Sequence, residues 1–75
     1  MTKTLSIAQI LEIKRKHGRL TGLDVRFTSP AHRMVLEGWI EGVRLHRRTK
    51  QPLFHVCTER HGEWEIGHGL ILQIW

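Results

Sequence analysis

Apolar positions follow two rhythms along this chain, and the change between them falls near residue 20. Before it, Ile7, Ile10 and Leu11 recur at helical spacing and share one face. Ser6 followed three residues later by Gln9 is a capping-box pattern, in which each side chain satisfies a backbone N–H that a helix start leaves without a partner. Leu5 and Ile10 flank it as a hydrophobic staple. Lys14, Arg15, Lys16 and His17 put positive charge on the last turn, where the helix dipole favours it, and Gly18 suits a left-handed cap. The pattern predicts a helix over 6–18. A helix of about three turns is too short to be stable alone, so it must lie on something.

After residue 20 the period becomes two. Leu23, Val25 and Phe27 alternate with polar residues as a strand buried on one face does. A turn follows over Thr28 to Arg33, through Ser29, Pro30, Ala31 and His32. Ser29-Pro30 also has the form of a helix start, but a helix there would have to absorb Gly38 and Gly42 at about 1 kcal/mol each. As a strand, Met34, Leu36 and Ile40 share a face, and after Gly42 the phase slips to Val43 and Leu45. A glycine at a phase slip indicates a bulge or a sharp bend. Arg47 to Pro52 forms a polar, basic hairpin tip, after which Phe54 and Val56 point inward and His55 and Cys57 outward. Glu59 to Gly62 turns again, and Trp64 and Ile66 mark a fourth strand, with Trp64 read as core. Residues 70–75 are apolar on both faces, which fits either a central strand of this domain or one that meets a partner beyond its own core. The expected fold is mostly β: an N-terminal helix followed by a small five-stranded barrel over 22–75, within a single domain spanning 1–75.

A length of 75 residues lies near the lower limit for a self-sufficient core, which argues against an enzyme with a deep private cleft and for burial gained by homo-oligomerisation. With 40% apolar and 25% charged residues and three Trp, the chain has the composition of a folded protein. No apolar run approaches the ~20 residues that span a bilayer, and the N-terminus lacks the apolar core of a secretion signal. One cysteine, Cys57, cannot form an internal disulfide, which suits a cytoplasmic location.

Charge changes the picture most. The formal net charge is +5, and eleven of the twelve Lys and Arg lie within residues 1–50. Residues 51–75 carry Arg60 against Glu59, Glu63 and Glu65. Two basic groups stand out: Lys14, Arg15 and Lys16 with Arg19, and Arg44, Arg47 and Arg48 with Lys50. Such a field concentrates polyanions. Two clusters in so small a protein point to a phosphate-bearing partner, with an acidic protein surface as the alternative. Trp39 lies between the clusters and is expected to face outward, either as a base-stacking platform or as an interface residue. Trp75 is expected at a subunit contact.

Other chemistry is sparse. His55, Cys57, His61 and His68 are donors that zinc accepts, but their spacing matches no zinc signature, and scattered ligands of this kind are usually incidental. There is no nucleophile motif, phosphate-cradling glycine loop or metalloprotease motif, so no catalytic residue, metal or cofactor is expected.

One short helix followed by about five strongly bent strands is the layout of an SH3-like barrel, and particular residues resemble a family. The stretch Leu36-Glu37-Gly38-Trp39-Ile40-Glu41-Gly42-Val43 resembles the second strand of Sm-like proteins. Gly67-His68-Gly69-Leu70-Ile71-Leu72 is similar to the second signature of bacterial Hfq, and the helix ending Lys14 to His17 resembles its first helix and basic rim. The resemblance implies a hexameric or heptameric ring that binds single-stranded RNA, with His68 at a central pore and Lys14, Arg15 and Lys16 as a lateral patch. Departures fall on the nucleotide pocket: Arg44 to Arg48 replace the expected acidic or amide residue, and Gly67 replaces a lysine. A weaker resemblance, through Gly38 to Gly42, Phe54-His55-Val56 and Trp64-Glu65-Ile66, is to the plasmid-borne type II dihydrofolate reductases, which are pore-forming tetramers. Their Gln-Ile-Tyr stretch is Glu65-Ile66-Gly67 here, and a glutamate would repel the anionic cofactor and substrate.

Overall fold

A computed structural model describes residues 4–31 and 33–75. Helix α1 spans Ile7–His17. Its capping box is formed: the Gln9 amide donates to Ser6 Oγ at 3.2 Å, and the Ser6 amide donates to Gln9 Oε1 at 2.8 Å. Gly18 ends the helix at φ 77°, a left-handed geometry that glycine adopts without steric penalty.

Five strands follow: β1 (Asp24–Thr28), β2 (Val35–Leu45), β3 (Pro52–Cys57), β4 (Glu63–Gly67) and, after a 3-10 turn at His68–Leu70, β5 (Ile71–Ile74). They form one antiparallel sheet in the order β4-β3-β2-β1-β5. The arrangement is the expected helix and five strands in a small barrel-like fold. His32, within the expected turn, lies outside the described residues.

The long central strand β2 carries the bend. Ile40 faces Val56 and Gly42 faces His55, so Glu41 is the extra residue of a bulge. The phase slip expected at Gly42 therefore begins one residue earlier. Beyond it Val43 pairs with Phe54, which returns β2's aliphatic residues to the inner side. The core beneath is built from Val25, Phe27, Ile40, Phe54, Val56, Ile66 and Ile71, closed over by Ile10 and Leu20, with Ile13 and Trp64 packed against it.

Several burial expectations need correcting. Val43 and Leu45 lie on the inner side but remain 43% and 62% exposed, because the end of the β2–β3 hairpin carries them past the closed core. Met34 precedes β2 and is exposed. Cys57 is on the outer side as expected, yet it is buried, since Glu63 crosses over its thiol from β4. β5 is neither central nor apolar on both faces. Val25 pairs with Ile74 and Phe27 with Ile71, so a bulge at Leu72 turns two isoleucines to the same side. Gln73 and Trp75 are exposed, and β5 ends the sheet order. No helix among the described residues is long and apolar enough to cross a membrane.

Candidate nucleic-acid interface

Members of the two basic groups, far apart in sequence, meet across one groove: Lys14 and Arg19 of the first and Lys50 of the second. Its volume is about 610 Å³, and it lies between α1 and the β2–β3 hairpin. Ile7 and Leu11 from the helix and Val43 and Leu45 from β2 supply its aliphatic surface. Lys14, Arg19 and Lys50 supply positive charge.

Local structure positions each cation. Lys14 sits in the last turn of α1, and Arg19 follows directly on the Gly18 cap, which swings the chain out of the helix. Lys50 adopts φ 60° at the end of the hairpin turn, where its amide donates to the His46 carbonyl at 3.0 Å. Within that turn His46 Nδ1 accepts from the Arg48 amide at 3.2 Å and from the Thr49 amide at 3.3 Å. The imidazole thereby ties down the loop that presents Arg47 and Arg48 to solvent.

The remaining expected residues lie elsewhere. Arg15 is paired with Glu12 at 2.5 Å on the exposed helix surface, and Lys16 is exposed outside the groove lining. Strand alternation turns Arg44 to the outer side, opposite Val43 and Leu45, where it pairs with Glu65. That pairing holds the Glu65 carboxyl below its ordinary range and the Arg44 guanidinium above its own, chiefly through the shared hydrogen bond. Trp39 is outward and half-buried, with its indole N–H donating to Glu41 Oε1 at 2.6 Å. It borders a second, shallower hollow of about 560 Å³ with Met34 and Trp75. Arg26 lies 5.7 Å from the Trp75 ring centroid and also binds Glu37 at 2.9 Å. His68 is half-buried, with Nδ1 3.3 Å from the Leu5 carbonyl oxygen. Lys14, Arg19 and Lys50 are thus brought together, while Trp39 and His68 are not part of that site. The four aliphatic residues between the cations were legible as core candidates, and nothing in the sequence marks them as a groove.

On the opposite side, the histidine and cysteine expected to be incidental acquire a partner that sequence spacing did not suggest. His55 Nε2 lies 2.9 Å from Glu63 Oε1, and Cys57 Sγ lies 3.6 Å from the same oxygen. The Glu63 carboxyl is held below its ordinary range, first by the His55 hydrogen bond and then by that of Cys57. Burial raises the Cys57 thiol, and the Glu41 and Glu63 carboxylates raise it further. His61 and His68 do not belong to this set.

Comparison of the chain with protein-family models, with curated proteins and with solved structures gives no match.

Proposed function

We propose that this chain is a small binding protein for single-stranded nucleic acid and that the groove between α1 and the β2–β3 hairpin is its interface. The observation that carries the reading is the meeting of Lys14, Arg19 and Lys50 around one aliphatic surface. Phosphates would sit at the three cations and release their counterions. Sugars and bases would lie over Ile7, Leu11, Val43 and Leu45, displacing water from side chains that are 36% to 62% exposed. Arg47 and Arg48 extend the field at the hairpin tip. The surface offers contact without an aromatic sandwich, so the expected binding is tolerant of base sequence. In this reading the fold is Sm-like, acts in the cytoplasm, and assembles as a homo-oligomer through the two ends of its sheet, β4 and β5. The chain has no catalytic role in it, and Glu65, which stands where the reductases carry a glutamine, pairs with Arg44.

One observation favours a second reading. The lining between the cations is mainly apolar, with Ile7, Leu11, Val43 and Leu45 exposed in it, a surface that also suits an acidic amphipathic peptide. Fluorescence anisotropy with a labelled mixed-sequence oligoribonucleotide separates the two. The double substitution Lys14→Glu with Lys50→Glu should weaken binding by roughly tenfold or more, while Arg60→Glu, outside the groove, should change it little. Equal effects of the two proteins would overturn the assignment of the groove. Tighter binding of an acidic amphipathic peptide than of the oligonucleotide would favour the peptide.

A further inference from the structure

We infer that the outer side of β3 and β4 is a binding site for one divalent transition-metal ion of the zinc class, held by His55 Nε2, Cys57 Sγ and Glu63 Oε1. These three atoms lie within 4.8 Å of one another. The site is independent of the nucleic-acid reading, since the groove lies on the inner side of the hairpin.

Geometry comes first. His55 and Cys57 are two residues apart on β3, so their side chains leave the same side of the sheet. Glu63 stands directly across from Cys57 on β4, which sends its carboxylate between the other two. In a tetrahedral zinc centre, with metal–ligand distances of about 2.0–2.3 Å, neighbouring donor atoms are separated by roughly 3.3–3.8 Å. The Cys57–Glu63 pair at 3.6 Å already falls within that spacing, and the His55–Glu63 pair at 2.9 Å lies a few tenths of an ångström short of it. The three donors are carried by paired strands, so adjustment to an ion falls on the side chains while the ladder holds the backbone.

Chemistry selects the ion. A thiolate, an imidazole and one carboxylate form a donor set suited to zinc, cobalt or cadmium, and unsuited to magnesium or calcium, which take oxygen ligands. The thiol is buried beside the Glu63 and Glu41 carboxylates, so the cluster carries excess negative charge, and Arg44, the nearest cation on β2, is committed to Glu65. A divalent ion would offset the two carboxylates and the thiolate formed on binding, leaving the cluster less negative than before. On binding, the Cys57 S–H proton leaves to solvent, the thiolate and the neutral imidazole each donate a lone pair, and Glu63 exchanges its two hydrogen bonds for a bond to the metal. Glu41, on the β2 bulge and fixed by the Trp39 indole at 2.6 Å, stands beside Cys57, where it can orient a water that completes the coordination.

Cobalt(II) titration of the reduced, full-length protein tests the assignment, because a cobalt–thiolate bond announces itself as an ultraviolet charge-transfer band. The expected result is one equivalent per chain with that band present. His55→Gln and Glu63→Gln, both at exposed side chains that leave the core intact, should each weaken cobalt binding beyond the ~10–100-fold that losing a mere supporting partner costs. His61→Gln should titrate like the parent protein. A missing charge-transfer band overturns the site, and so does a band whose titration is unchanged in both the His55 and Glu63 variants.

Discussion

At Gly38 a single hydrogen atom decides how closely β2 can approach the end of β3. A Cβ built there would lie 1.9 Å from the Cys57 carbonyl oxygen and 3.1 Å from Thr58 Cγ2. The first of these is backbone that cannot move aside without breaking the β2–β3 ladder. Gly38→Ala should therefore lower stability by about 3 kcal/mol or more, at or beyond the upper end of ordinary overpacking, read as a fall in the urea midpoint. Arg44 makes the complementary point about charge. In sequence it belongs to the hairpin's basic group, but alternation along β2 sends it outward to Glu65. Arg44→Ala should leave oligonucleotide affinity within about twofold of the parent, because rim and remote charges act chiefly through a screened field. A loss as large as that from the groove cations would place the interface on the other side of the hairpin. The same alternation was legible for His55 and Cys57, whereas Glu63 was not, since its position opposite Cys57 is set by strand register and not by spacing within either strand.

Elements whose boundaries depend on neighbours in sequence were readable, and those that depend on a distant partner were not. The helix is the first kind: Ser6, Gln9 and Gly18 fix its ends by contacts within three residues, and the structure reproduces them. Since an isolated helix of eleven residues is marginal, its cap matters to the whole protein. Ser6→Ala should cost about 1 kcal/mol of global stability in a denaturant titration. A variant as stable as the parent would show that packing of Ile10 and Ile13 alone holds the helix. β5 is the second kind. Its apparent two-sided apolarity arises from a bulge at Leu72, and that bulge is a property of its pairing with β1. The β2 bulge was found within one residue because a glycine and a change of phase both lie in that strand. The groove has no local signature at all: Ile7 and Leu11 belong to a helical pattern and Val43 and Leu45 to a strand pattern, and only the tertiary fold sets them facing one another.

At the scale of the whole molecule, the uneven charge along the chain becomes an uneven charge in space. Lys14, Arg19 and Lys50 converge on one side of the hairpin, while Glu41, Glu63 and Glu65 gather with His55 and Cys57 on the other. On the two proposals a polyanion would be drawn to the first surface and a divalent cation to the second, with no residue shared between the sites. The central claim concerns the first. It is tested most directly by measuring the affinity of the unmodified protein for a single-stranded oligoribonucleotide across a series of salt concentrations. Three groove cations neutralising three phosphates predict that the logarithm of the association constant falls linearly with the logarithm of salt, with a slope of about −2. An affinity that stays constant from low to moderate salt would contradict the account, because contacts to the aliphatic surface alone would then be carrying the binding.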